Sequence, residues 1–387
     1  MREMSKRSRL KRLMFWGISF TLSGLILFVG MELMLRVLIN KTFTAEVTFP
    51  LVHSAIPGLG YQLAPDHSSG SIRTDSNGLR LRPPDSAPVR YKILLIGDSI
   101  SFGSGVPYEK SFAPVLEANL TAELGQTTAV WNAGVPGYNT DQESITLERI
   151  GPFVKPDLVV VQFCMNDYLD PPQLTTGGTL DATKTEGNSG FSFMALAYHS
   201  RVFVFVKEKL KELQQARPEW FPVWAHYIHY IQRRPGWERA KRALLHIQET
   251  AKELNANVLL VIFPVEQQLR IGDRAAQDDL VGFARFHQIA VLDLYPVFRS
   301  HWRDGLYVNY WKEARVVDKL HLNERGHALV ARAIASTIVG QRNVYLSAQQ
   351  ELALPVSLPV SSGTPPAGRN GQSSVHVLEA SRPIISR

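Results

Sequence analysis

Short runs that are apolar at almost every position, separated by stretches of helical spacing, constrain this chain most. Lys92-Ile93-Leu94-Leu95-Ile96, Asp157–Phe163 and Val258–Phe263 do not alternate with polar residues. A strand with one wet face alternates, whereas a strand buried on both faces reads as a continuous apolar run. Ala129-Val130-Trp131 and Ala290–Asp293 are two shorter runs of the same kind. Between them, Ser111–Leu124, Thr140–Ile150, a helix ending over Glu249–Leu254, and Asn323–Ile338 carry helical spacing. Thr140 with Glu143 reads as a capping box, and Asn323 as an N-cap. Strands alternating with helices predict an α/β fold, a doubly wound parallel sheet covered on both faces.

The ends of the chain obey different rules. Leu13–Met31 is an uncharged apolar run of 19 residues. About twenty residues are needed to cross a bilayer's hydrocarbon core. Residues 1–12 carry a net +5 of the chain's +7, so the remaining residues are close to neutral. That distribution excludes a basic nucleic-acid-binding body. It predicts a cytoplasmic N-terminus, with everything after about residue 40 on the far side of the membrane. A cleaved signal peptide would have a shorter core and a small-residue site after it, and Glu32–Ile39 offers none. The expected organisation is a basic tail (1–12), an anchor (13–39), a linker with a small hairpin (41–90), the main domain (91–340) and a disordered tail (341–387). The hairpin is expected around Ser76-Asn77-Gly78. The single cysteine, Cys164, excludes an internal disulfide and a thiolate-built zinc site.

A long insertion is expected at about 170–235. Its start, Pro171–Gly190, reads as loop. The rest reads as helical and is rich in aromatics, from Phe191, Phe193, Tyr198, Phe203 and Phe205 to Trp220, Phe221, Trp224, Tyr227 and Tyr230. These make a core for their own helices, a lid, or a surface lying on the membrane. Arg233, Arg234, Arg239, Lys241 and Arg242 follow, as a solvated face or a contact for anionic lipid or acidic glycan.

Ligands of a doubly wound sheet gather at the carboxyl ends of its strands. Ser99, Gly134 and Asn166 each come three residues after an expected strand, so all three fall on that edge. Ser99 is a candidate nucleophile, and His321 with Asp318 a candidate base and its orienting partner. The Gly134 amide and the Asn166 side chain are candidate donors to a developing oxyanion. The plainer readings are a turn for Gly97-Asp98-Ser99, a cap for Asp318 and His321, and turn residues at Gly134 and Asn166. Asp98 reads as structural. His327 could complete a metal site with Asp318 and His321 only on paper, and His226 with His229 reads as surface. Cys164 has no base indicated near it.

Four segments carry a resemblance: Ile96-Gly97-Asp98-Ser99, Asn132-Ala133-Gly134, Asn166-Asp167 and Asp318-x-x-His321. Over roughly residues 91–340 the chain resembles the SGNH (GDSL-type) hydrolase superfamily. The resemblance implies a flavodoxin-like sheet and a Ser99-His321-Asp318 mechanism needing no cofactor and no metal. It implies an oxyanion hole of the Ser99 and Gly134 amides and the Asn166 side chain. One departure is Cys164, where the family's third block has glycine; a side chain there could crowd the backbone or narrow the pocket. The expected protein is a membrane-anchored serine esterase, facing the periplasm or exterior if bacterial, that removes short acyl groups such as acetyl from carbohydrate or small esters. An O-acyltransferase with the same acyl-enzyme, a lipase and a non-catalytic envelope scaffold are the alternatives.

Overall fold

The computed structural model describes residues 2–38, 49–70, 72–82, 87–176, 178–185, 200–216, 235–308 and 320–353. Five parallel strands form the centre: β1 (Tyr91–Ile96), β2 (Thr128–Asn132), β3 (Leu158–Phe163), β4 (Asn257–Ile262) and β5 (Ala290–Asp293). Their order is β2-β1-β3-β4-β5. This is the flavodoxin-like order, and its direction reverses between β1 and β3.

Alternate side chains of each strand enter opposite cores, which is why the strand runs are apolar throughout. Ile93 and Leu95 pack with Phe112, Leu116 and Leu120 of α3 (Phe112–Leu124) and with Val330, Ile334 and Ile338 of α10 (Glu324–Ala353). Leu94 and Ile96 pack on the other face. Their neighbours there are Leu147 and Ile150 of α4 (Thr140–Val154), Trp237 and Ile247 of α6 (Pro235–Glu253), and Leu280 of α8 (Ala275–Phe286). Two short helices, α7 (Glu266–Ile271) and α9 (Tyr295–Ser300), add Leu269 and Phe298 to the first core.

Residues 49–82 pack onto this domain. Leu51–His53 pairs with Tyr61–Leu63, and Leu59, Tyr61 and Leu63 join Phe102, Val135 and Tyr138 in a third apolar cluster. The expected hairpin turn forms at Asp75–Gly78, where Asp75 Oδ1 accepts from the Asn77 and Leu79 amides, each at 2.9 Å. Gly78 has φ +78°, and a Cβ there would lie 2.8 Å from the Leu63 carbonyl oxygen. The Arg80 amide donates to the Asn132 carbonyl at 3.1 Å, so the hairpin covers the free edge of β2.

Several expectations shift. The capping box of α4 is Asn139 with Gln142, one residue earlier than Thr140 with Glu143. Asn139 is extended and its side chain takes the Gln142 amide, so Thr140 is already helical and Glu143 turns into the core. The start of the insertion contains a hairpin, Pro172–Leu174 paired with Leu180–Thr185. Thr175 and Thr179 close its turn side chain to side chain at 2.8 Å, a pairing that leaves no periodic apolar signal. The closing helix α10 runs to Ala353, well past Ile338 and into the expected tail, because no proline interrupts the chain before Pro355. Within the insertion, α5 (Arg201–Ala216) carries Phe203 and Phe205; the other aromatics named above, with His226, His229, Arg233 and Arg234, lie outside the described residues.

The N-terminal helix α1 (Arg2–Leu38) contains Lys11–Val37, a segment long and apolar enough to cross a membrane. Its apolar side chains face outward all round, as Leu13, Phe20 and Leu27 do.

Candidate active site

The three segments that follow β1, β2 and β3 meet at the carboxyl edge of the sheet, beside the β1/β3 reversal. After β1, Gly97 and Asp98 lead into α2 (Ser99–Phe102). Asp98 caps this short helix, its Oδ1 accepting from the Ile100 amide at 2.8 Å. Ser99 therefore sits at the first helical position, where an amide has no intrahelical partner. It is 9 % exposed, and Ser99 Oγ lies 2.7 Å from His321 Nε2. His321 arrives from the segment just before α10, whose start is capped by Asn323 Oδ1 accepting from the Arg325 and Gly326 amides. The two side chains meet across 222 residues of sequence. Asp318 lies outside the described residues.

The loop carrying Ser99 is pinned from below by Gln162 of β3. Gln162 Oε1 accepts from the Asp98 amide (3.0 Å), the Ser101 amide (3.2 Å) and Ser101 Oγ (3.0 Å). Asn132, the last residue of β2, adds a second pin through Nδ2 to the Ser101 carbonyl at 2.7 Å. The same Asn132 accepts the Gly134 amide on Oδ1 at 3.0 Å. Glycine is required at 134 by close packing: a Cβ would lie 2.6 Å from both the Phe102 nitrogen and Ser101 Cβ. Gly134 thus abuts α2, and its amide is engaged within the loop.

Asn166 follows β3 in a turn held by Asp167, whose Oδ2 accepts from the Cys164 amide at 2.7 Å. Asn166 Nδ2 donates to Asp98 Oδ2 at 2.7 Å. One amide hydrogen is used there and the other is available for a ligand. Asp98 thereby links the helix bearing Ser99 to the segment bearing Asn166. Its burial raises its carboxyl above the usual range, opposed by the Asn166 and Ile100 hydrogen bonds. Cys164 is fully buried in the core with Phe263 and Tyr307, so its side chain fills the interior beneath the turn. Burial also pushes its thiol well up, which is unsuited to a nucleophile.

Sequence reasoning passed over Gln162, Asn132 as a pin, and a second layer of carboxyls. Glu143 and Asp167 are both buried, and among the described residues neither Glu143 oxygen has a hydrogen-bond partner. Burial, with Asp98 nearby, holds the Glu143 carboxyl well above its usual range, and Asp167 is raised as well. Glu143 is the group kept neutral, since Asp167 accepts an amide hydrogen and Glu143 accepts none. The one trace of Gln162 in the sequence is a lone polar residue in an otherwise apolar strand, which a reading for strands passes over.

The remaining candidates are placed elsewhere. His327 is buried under α3, stacked on Phe112, and its Nδ1 accepts the Phe112 amide at 3.2 Å. Burial lowers it to about 3, so it is a neutral core residue. Arg239 pairs with Asp141 (2.7 Å) and Asp170 (2.9 Å), and Lys241 with Asp279 (2.7 Å), so both serve the domain's own packing.

A serine and a histidine in contact at this edge can form and discharge an acyl-enzyme. The model of the GDSL-like Lipase/Acylhydrolase family matches residues 95–329, more than half of the chain. The chain belongs to that family. It is an SGNH-type ester hydrolase. An arylesterase of Vibrio mimicus is 27 % identical over 157 residues, which cover 38 % of this chain and 76 % of the relative. Among solved structures, a putative lipolytic protein of the G-D-S-L family from Desulfitobacterium hafniense aligns at 15 % identity and a TM-score of 0.37, covering 64 % of this chain and 98 % of the other. An acetyl xylan esterase, AlAXEase, aligns at 15 % identity and a TM-score of 0.38, covering 64 % and 100 %.

Proposed function

We propose that this ester hydrolase is a membrane-anchored serine esterase that removes short acyl groups from carbohydrate or other small esters. The observation carrying the reading is the 2.7 Å contact between Ser99 Oγ and His321 Nε2. In the reaction, unprotonated Nε2 takes the Ser99 proton as Oγ attacks the ester carbonyl. Asp318, three residues before His321, orients the ring through Nδ1 and favours the imidazolium that forms. The oxyanion is met by the Ser99 amide at the start of α2 and by the second Nδ2 hydrogen of Asn166. The Gly134 amide donates to Asn132 Oδ1 and supports them from the adjoining loop. His321 then returns the proton to the leaving alcohol, and water repeats the sequence on the acyl-enzyme. Ser99 is little exposed, and a nucleophile so enclosed suits a short acyl group. The length and outward apolarity of Lys11–Val37 support the anchor, with the basic end in the cytoplasm.

The test is fluorophosphonate labelling of the full chain, with acetyl- to decanoyl-ester turnover and an acetylated-oligosaccharide panel followed in parallel. Ser99→Ala is expected to abolish labelling and to lower kcat by about 10⁴-fold or more with the fold intact. Acetyl esters are expected to turn over fastest. Labelling that survives Ser99→Ala would remove the assignment, and a decanoyl preference would replace the short-acyl reading with a lipase.

A further inference from the structure

The end of α1 is joined to the insertion by a single carboxylate. Glu32 accepts from Ser200 Oγ at 2.9 Å and from the Arg201 and Val202 amides, each at 3.0 Å. It thus caps the first turn of α5, satisfying amides that a helix start leaves without partners and complementing the helix dipole. Arg36 pairs with the same carboxylate at 2.8 Å. Glu32 follows directly on the apolar run Leu13–Met31. That run spans about 28 Å at 1.5 Å per residue, and a hydrocarbon core is about 30 Å thick. Counted over the uncharged run alone, α1 leaves the hydrocarbon at Glu32 and the last turn of Lys11–Val37 lies in the headgroup layer, so the start of α5 is fixed at that boundary.

From that point α5 presents an apolar stripe to its surroundings. Val206, Leu210 and Leu213 are spaced four and three apart, on one face, and are 46 %, 46 % and 48 % exposed. Val202, nearer the contact with α1, is buried on the same side of the helix. The sequence of α5 has Arg201, Lys207, Lys209 and Lys211 against Glu208 and Glu212, a net +2.

We infer that α5 lies in the outer membrane–water interface, its Val206–Leu210–Leu213 stripe sunk among the lipids of an anionic bilayer. Resting on the anchor reading, this names a second contact of the same domain with the membrane. The occupant is lipid because the helix begins at the depth where α1 emerges, and continues the apolar surface that α1 already presents. Its cationic excess favours anionic headgroups. The insertion leaves the carboxyl end of β3, just beyond Asn166, so this contact ties the catalytic edge of the sheet to the membrane.

The test is depth-resolved quenching of the full chain reconstituted in phosphatidylethanolamine–phosphatidylglycerol vesicles. Single labelled cysteines at Leu22→Cys, Leu210→Cys and Glu123→Cys report the span, the stripe and an exposed site on α3; Cys164 is buried and escapes labelling. The expected result is quenching of Leu210→Cys by shallow spin-labelled lipid, of Leu22→Cys by deep spin-labelled lipid, and of Glu123→Cys by neither. Quenching at position 22 with position 210 in water overturns the inference and leaves the anchor standing. A label at 210 that is shielded from water yet unquenched by lipid also overturns it, in favour of a protein partner or a second copy. No quenching at 22 removes the anchor, and the inference with it.

Discussion

Polar groups are organised in opposite ways at the two working ends of this molecule. Around Ser99 they form a mesh, in which Gln162, Asp98 and Asn132 each hold two or more groups and each touches the loop of another. At the mouth of α1 one carboxylate, Glu32, gathers three hydrogen bonds from the start of α5. A mesh fixes atoms to a fraction of an ångström, which a nucleophile and its oxyanion donors require. A single cap fixes a position and leaves the attached helix free to adapt, which suits a contact with a fluid surface. Removing a mesh residue should therefore damage chemistry and stability together, and removing the cap should damage neither much.

The sharpest break of this contrast after the loss of Ser99 itself is Asn166→Ala. On the proposed mechanism it deletes an oxyanion donor, worth about 10²–10³ in kcat, with KM little changed. It also strips Asp98 of its hydrogen bond, so the melting temperature should fall too. Steady-state kinetics with a calorimetric scan checks both. A drop in KM-governed binding with kcat intact would place Asn166 in ground-state recognition instead.

Gln162→Leu is the next test, because it removes no group that meets substrate. Two amides and a hydroxyl would be left without an acceptor beneath the nucleophile. Each costs about 1–3 kcal/mol when buried and unsatisfied. Urea unfolding should show a loss of several kcal/mol, and kcat should fall while the protein remains folded. Unchanged kcat at reduced stability would show that the mesh holds the fold and leaves Ser99 unaffected.

This layer also separates what was readable in the sequence from what was not. The strands were readable because a sheet buried on both faces leaves few polar positions, and Ser99, Gly134 and Asn166 followed from counting past strand ends. Gln162 was hidden by the same rule, being the one amide inside a strand otherwise apolar. Glu143 was hidden because an acid in the first turn of a helix ordinarily answers the dipole in water, whereas here it faces inward. The cap of α4 slipped by one residue, since Asn139 and Thr140 are both good caps and only the backbone chooses. The bond between Glu32 and α5 joins residues more than 160 positions apart and leaves no local trace.

Two buried groups outside the reacting atoms give opposite pH slopes. His327 titrates near 3 in the fold, below its usual 6.5, so its contribution is present above 6.5 and is lost as pH falls through that value toward 3. The expected loss is about 1.4 kcal/mol per pH unit at most. Glu143 is raised above 4.5, so its contribution is complete below 4.5 and is lost as pH rises through its folded value. Urea midpoints across pH 4–8 should show the acid slope reduced in His327→Leu and the alkaline slope reduced in Glu143→Gln. A Glu143→Gln variant that keeps the wild-type alkaline slope would mean that Glu143 is ionised in the fold and neutralised by some other group.

The smallest effect belongs to Glu32→Ala. It removes the acceptor for the Ser200 hydroxyl and for two first-turn amides of α5, a cap worth about 0.5–2 kcal/mol. Among the described residues, the hydrogen bonds of Ser99, Asp98, Gln162 and Asn166 reach neither Glu32 nor α5. Turnover of a water-soluble acetyl ester should therefore stay within about twofold of wild type, a change under 0.5 kcal/mol. Hydrogen exchange should meanwhile accelerate at Arg201 and Val202, because fraying starts where the cap is lost. Faster exchange with unchanged turnover keeps the two ends independent. A tenfold loss of turnover would show that the anchor, through α5 and the insertion, helps to set the catalytic edge of the sheet, and the contrast between mesh and cap would have to give way to one continuous structure.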